Sequence, residues 1–267
     1  APLKESWAMK SRIAFYLSNS LGLVAFFWPF IGAISNLDFS LIQSSSLAIV
    51  VAIFAISIVA FDLSAGLMDS KAVAIVGVMT ALIAALRLLG AGAIGVEPMW
   101  FLLILTARVF GARLGYAMGA LSMAVSAFLT GGVGPWLSFQ MFAAGWVALG
   151  VGIIPRDLRG KLEISILAIY GAFSSFLFGL LMDLQLWPWL AGNLTQLSFS
   201  PDLGTSENVF RYLTFHFATA LSWDIPRAIT TSVLILLAGP AIVHSLRRAE
   251  GKIRVTSHEK VRVEPSR

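Results

Sequence analysis

The sequence predicts an all-α integral membrane protein with eight transmembrane helices and both termini in the cytoplasm. Three observations predict it. Hydrophobic residues make up 58 % of the chain and charged residues only 12 %, against roughly 25 % charge in a soluble domain. Of eight apolar segments, most approach the roughly 20 residues needed to cross about 30 Å of hydrocarbon. Of the 19 Lys and Arg, 16 fall in the tails and in alternate connections. Cytoplasmic loops retain Lys and Arg, so this sorting fixes an even number of spans.

In chain order, residues 1–12 form a basic tail with Lys4, Lys10 and Arg12. The first span is Ile13–Ile34. It runs through Trp28 and Pro29 with no clean small-x-small site after it, which marks a retained helix and not a signal peptide. Leu47–Leu67 follows, with Asp62 near the cytoplasmic interface, and residues 13–70 hold these two helices. Residues 71–248 hold six more. Lys71 precedes Ala72–Leu89, where Arg87 lies one turn below the outer end and either snorkels outward or pairs with Glu97 or Asp183. Pro98–Phe110 is short and needs flanking residues, a snorkelling Arg108 or burial among neighbours. Arg108 and Arg113 lead into Leu114–Leu129, and Gly131–Pro135 turns the chain outside into Leu137–Ile154. Arg156, Arg159 and Lys161 precede Leu162–Met182.

The outer connection 183–224 is the only long one and carries Arg211, the one basic residue in a loop assigned outside. Within it, Ser206–Leu221 reads as a helix, with Ser206 as N-cap, Glu207 in the first turn and Phe210, Leu213, Phe217 and Leu221 at helical spacing. It reads as a lid or interfacial helix over the bundle, separated by Pro226 from the last span, Ile225–Val243. Residues 249–267 are a second basic tail.

The net charge of +5 follows from topology and gives no case for nucleic-acid binding. The chain has no Cys, so it holds no disulfide, Fe–S cluster or thiol nucleophile. His216, His244 and His258 have no metal-ligand spacing with one another or with a carboxylate. No Gly-x-x-x-x-Gly-Lys-Ser/Thr loop occurs, so the chain does not hydrolyse ATP. No catalytic residue, metal or permanently bound cofactor is expected.

The outer helix ends are richer in recognition groups. In Gly131–Gln140, Gly131, Gly132 and Gly134 permit a tight, adaptable turn, and Pro135 can begin the next helix. Trp136 offers a flat stacking surface, and Gln140 a two-way hydrogen-bonding amide one turn further in. Asp224 and Arg227 flank Pro226, and intrahelical pairing is their plainest reading. With Trp100, Trp187, Trp189 and Trp223, this is the lining of a planar or bulky polar organic ligand. It is a poor lining for an ion pathway. Small residues also recur every four positions at Gly77/Ala81/Ala85, Gly111/Gly115/Gly119, Ala144/Ala148/Gly152 and Gly171/Ser175/Gly179. That spacing serves close helix packing in the bundle, or offers a face to another membrane subunit.

Several of these stretches, Ala72–Leu89, Phe110–Gly115, Gly131-Gly132-Val133-Gly134-Pro135-Trp136-Leu137-Ser138-Phe139-Gln140 followed by Gly145, and Trp223–Arg227, together resemble the substrate-binding S component of energy-coupling-factor (ECF) vitamin transporters. The resemblance implies a six-helix core that captures a vitamin or related micronutrient from outside the plasma membrane of a prokaryote. It implies work with a transmembrane T subunit and two cytoplasmic ATPases. Substrate contacts are expected at the outer end of this core, at Arg87, Trp136, Phe139, Gln140, Trp223, Asp224 and Arg227. The resemblance also places T-subunit docking on an Ala-x-x-x-Ala face, here Ala81 and Ala85 with Gly77 one turn earlier. The sequence is most similar to the predicted cobalamin-type subgroup, with a flavin, thiamine-like or other ring compound left open. The two N-terminal spans depart from the family pattern. The competing class is a self-contained secondary transporter or channel for a small organic solute, which would favour inverted repeats and polar midplane residues. No convincing repeat relates the two halves.

Overall fold

The computed structural model describes residues 2–30, 70–90, 94–190, 195–200 and 202–263. The expected span Leu47–Leu67, with Asp62, lies outside the described residues. The helices are α1 (Pro2–Phe26), α2 (Ser70–Leu89), α3 (Met99–Phe110), α4 (Ala112–Thr130), α5 (Trp136–Gly150), α6 (Gly160–Leu190), α7 (Thr205–Thr219) and α8 (Leu221–Val263), with one 3₁₀ turn at Val151–Ile153. Among the described residues, four segments are long and apolar enough to cross a membrane: Ala112–Thr130, Trp136–Ile153, Gly160–Pro188 and Leu221–Gly251. Ile13–Phe26, Val73–Leu89 and Met99–Phe110 are shorter apolar helices.

The short helix α3 is the centre of the bundle. Every residue from Met99 to Ala107 is buried, and α8, α4 and α2 all pack against it. Burial therefore solves the length problem posed by the sequence. Arg108 does not snorkel. Its Nε donates to Glu163 Oε1 at 2.6 Å, and its terminal nitrogens donate to the carbonyls of Ile154, Pro155 and Leu158. The most extensive helix pairs are α6 with α8 and α4 with α5. Small residues make them close: a Cβ on Gly119 would lie 2.7 Å from the Ala144 carbonyl oxygen, and one on Gly171 would lie 2.8 Å from Thr231 Cγ2.

Helix α1 is seated on α5. The Trp146 indole donates to Asn19 Oδ1 at 2.6 Å, and the rings of Phe26 and Phe139 meet edge to face at 5.0 Å. A Cβ on Gly22 would lie 2.8 Å from the Phe142 ring. An aromatic contact and a polar bond together fix this helix where lipid gives no hydrophobic drive.

The structure corrects three sequence expectations. Helix α6 continues past Met182 to Leu190, so Asp183 and Trp187 are helical and the outer connection is shorter than 183–224. Pro188 stands in its last turn and supplies no amide for the Leu184 carbonyl. Pro226 does not separate the outer helix from the last one. The break falls at Ala220, whose amide bonds the His216 carbonyl at 2.8 Å, and α8 begins at Leu221. Helix α7 starts one residue early, with Gly204 and not Ser206 at the N-cap. Its apolar stripe faces outward. Tyr212, Phe215, His216 and Asn208 are buried, while Phe210, Leu213 and Phe217 are exposed. Polar partners decide the orientation. Asn208 Nδ2 donates to the carbonyls of Ser200 and Leu203, the Tyr212 hydroxyl to Leu180 O, and His216 meets Asp183.

Candidate functional site

The turn between α4 and α5 defines one end of the bundle, here the hairpin end. The opposite, basic end carries Arg108, Arg113, Arg156, Arg159, Lys161, Arg247 and Arg248. Gly131 ends α4 in the left-handed conformation, φ +66°, which costs a residue without Cβ nothing. The Gly132 amide returns to Ala127 O at 2.9 Å. Pro135 then leads into α5. Trp136 is 40 % exposed at the rim. Its indole donates to Gly132 O at 3.3 Å, and its ring lies over Gly134, where a Cβ would stand 2.5 Å from the ring. The glycines thus shape a turn that carries an open indole face.

One turn inside this rim, Arg87 reaches across from α2. Its Nη1 donates to Ser126 Oγ at 2.8 Å and its Nη2 to Gln140 Oε1 at 3.2 Å. The expected ion pairs of Arg87 with Glu97 or Asp183 are not among its contacts; it meets two neutral groups instead. With its acceptor oxygen on Arg87, the Gln140 amide keeps its two N–H donors for another partner. Phe139 is buried against Phe26.

Asp224 and Arg227 belong to a second, buried cluster. Arg227 Nη1 donates to Asp224 Oδ1 at 2.6 Å, and Arg227 Nε donates to Glu97 Oε2 at 2.6 Å. The same carboxylate oxygen accepts the Trp100 indole at 2.8 Å. Burial tends to raise the Glu97 pKa, but Arg227 and the Trp100 hydrogen bond outweigh it and hold the carboxyl below the usual carboxylate range. His216 Nδ1 lies 2.8 Å from Asp183 Oδ2, and its Nε2 lies 3.8 Å from Asp224 Oδ2. Arg227 also stacks over Phe178 at 5.2 Å. This cluster ties α3, α6, α7 and α8 together. Intrahelical pairing of Asp224 with Arg227 is observed, yet the longer reach to Glu97 is what ties α8 to the connection that leads into α3.

The structure therefore brings Arg87 and Gln140 together, with Trp136 one turn outward on the same helix. It places Asp224 and Arg227 in a separate network and Trp223 beside it, 48 % exposed. Trp100 and Trp187 are not lining groups. Trp187 is fully buried, donates to Leu197 O at 2.7 Å and packs on Tyr212 and Phe199. The side chain of Trp189 lies outside the described residues.

Sequence reasoning missed Ser126, which holds Arg87, and Gln185. Gln185 lies in the extension of α6 at the hairpin end, is fully buried, and neither of its amide atoms has a hydrogen-bond partner among the described residues. Buried amides are nearly always bonded, so this one points to a missing partner. Its signal in the sequence is weak, a lone Gln in a segment taken as loop. Of the docking residues, Gly77, Ala81 and Ala85 are all exposed on α2, and a Cβ on Gly77 would meet nothing within 4 Å.

Residues 67–196 match the family model described as ECF-type riboflavin transporter, S component. The match runs from α2 to just beyond α6 and leaves α1, α7 and α8 outside. No curated protein and no solved structure matches the chain. The matching description names riboflavin and gives no support to a cobalamin-type subgroup.

Proposed function

We propose that this protein is the substrate-capturing subunit of an ECF-type importer, a non-enzymatic, multi-pass membrane protein that works with a T subunit and ATPases; the match of residues 67–196 to an S-component family model supports this reading. The carrying observation is the Arg87–Ser126–Gln140 set beneath the open indole of Trp136. A planar ring with edge carbonyl and imide groups answers it. Trp136 covers the ring face, and the Gln140 amide donates to an edge carbonyl. The Arg87 guanidinium supplies further donors where the ligand displaces one of its present partners.

Riboflavin is such a compound, and the family match supports this choice. The Gly131–Gly134 turn gives the ligand close approach. Phe139, Asp224 and Arg227 hold the end of the bundle in place, and Trp223 borders it. Gln185 supplies a further directional contact. The basic end faces the cytoplasm of a prokaryotic cell and the hairpin end faces outward, which follows from the charge sorting. Gly77, Ala81 and Ala85 form the face that meets the T subunit.

The test is flavin binding by the purified full-length chain, followed by quenching of riboflavin fluorescence. Gln140→Ala should weaken binding roughly 5- to 150-fold, as expected when a buried hydrogen bond of about 1–3 kcal/mol is lost. Gln185→Leu should weaken binding too, yet raise the thermal stability of the ligand-free protein, because it removes an unsatisfied buried amide. No flavin binding by a folded chain would reject the substrate. Flavin uptake into liposomes holding this chain alone would reject the partner requirement and favour a secondary transporter.

A further inference from the structure

At the basic end, α6 and α8 part around a cavity of about 630 Å³. Its walls come from the first turns of α6, with Lys161, Glu163 and Ile164, and from α8, with Pro240, His244 and Arg247. The two helices touch at Gly239, where a Cβ would lie 3.4 Å from Ile164 Cδ1. The next residue is Pro240, inside the helix. It has no amide to return to the Leu236 carbonyl, and Leu236 also borders the cavity. The volume lies within the range of small-molecule sites, and none of the residues discussed at the hairpin end lines it.

The charges of this cavity are unbalanced. Among the described residues Glu163 is its only carboxylate, and it is already shared: Arg108 Nε and Arg247 Nη2 both donate to Glu163 Oε1, each at 2.6 Å. One negative charge thus stands between two guanidiniums. Lys161 and His244 are exposed and form no ion pair among the described residues. The remaining wall, Ile164, Leu236, Pro240 and Val243, is apolar. The neighbouring outer faces of the same helices are apolar and open as well, with Leu162, Ile169, Leu236 and Leu237 all exposed. The cavity therefore has a cationic mouth at the level of the basic loops and a greasy wall running toward the middle of the bundle.

We infer that this cavity binds an anionic phospholipid of the leaflet facing the basic end. Its phosphate is held by Lys161, Arg247 and His244, and the start of one acyl chain lies along Ile164, Leu236, Pro240 and Val243. A soluble anion would satisfy the cations and leave the apolar wall empty. A zwitterionic lipid would cover the wall but bring its own cationic group to the cationic mouth. An anionic lipid answers both. Naming that leaflet cytoplasmic rests on the orientation proposed above; the binding itself does not.

The experiment uses the full-length protein in detergent, with lipid adducts counted by native mass spectrometry. The probes are phosphatidylglycerol, phosphatidylcholine and free glycerol 3-phosphate. One phosphatidylglycerol should bind about tenfold more tightly than phosphatidylcholine, and glycerol 3-phosphate should not bind measurably. Lys161→Gln and His244→Gln, at exposed positions, should cut the preference, by about fivefold for Lys161. Arg159→Gln, an exposed basic position outside the cavity, should leave it unchanged. Ser165→Trp fills the cavity without touching a charge and should abolish the tight adduct.

Equal binding of the two lipids, an unchanged preference in Lys161→Gln, or a tight adduct in Ser165→Trp would overturn the inference. Glycerol 3-phosphate binding as tightly as phosphatidylglycerol would assign the cavity to a soluble anion and overturn it too. Orientation is checked separately by labelling a cysteine placed at Ser257 in intact cells with an impermeant reagent. Labelling from outside would reverse the leaflet while leaving the adduct intact.

Discussion

Helices α2 and α4 carry the same pattern of small residues every four positions, and the fold treats them in opposite ways. On α4, Gly115 and Gly119 press against Ala107, Ala144 and Ala148 so closely that a Cβ has no room. On α2, Gly77, Ala81 and Ala85 are exposed, and Gly77 meets nothing within 4 Å among the described residues. Large apolar residues flank this open stripe, with Val73, Val78 and Leu82 all exposed. One stripe has been used to build the bundle, and the other remains available. A small-residue spacing therefore encodes a close approach without saying which partner makes it.

The largest expected effect tests the closed stripe. Gly119→Leu forces a branched side chain into the Ala144 backbone, and overpacking of that kind costs about 3 kcal/mol or more where backbone must move. The variant should lose its monodisperse peak after detergent extraction. A parent-like thermal transition would mean that α4 and α5 do not meet at Gly119.

The second effect tests the open stripe. Gly77→Leu should leave the melting temperature of the isolated chain and its proposed flavin affinity within error, since surface changes stay within about 0.5 kcal/mol. It should nevertheless abolish co-purification with the T subunit and ATPases, because the added bulk holds the partner backbone away. Intact co-purification would move the docking face elsewhere.

The smallest effect sharpens the contrast. Gly77→Ala adds one methyl group to open space and should change stability by less than about 1 kcal/mol, with helix propensity favouring Ala. Gly119→Ala, where that methyl would stand 2.7 Å from the Ala144 oxygen, should be measurably destabilising. Equal stabilities for the two Ala variants would erase the distinction between the stripes.

What the sequence by itself determined is local or statistical. The helical class and the positions of most apolar helices follow from runs of apolar residues. The α4–α5 turn follows from chemistry that needs no neighbour: a glycine that can adopt positive φ at Gly131 and a proline that can open a helix at Pro135. Tertiary structure alone decided which residues meet. Glu97 and Arg227 are 130 positions apart and share one ion pair, and no periodicity links Arg87 to Ser126. Tertiary structure also decided which faces point inward. In water an apolar stripe announces the core, but next to lipid both surfaces of a helix are apolar. Phe173 and Leu237 are exposed while Leu167 and Ile235 on the same helices are buried, and hydropathy does not separate them. On α7 the apolar stripe of Phe210, Leu213 and Phe217 faces outward. Asn208, Tyr212 and His216 turn inward because their polar groups find carbonyls and a carboxylate there. The physical reason is the same throughout: where apolar contact is available on every side, scarce polar partners set the orientation, and their positions exist only once the chain is folded.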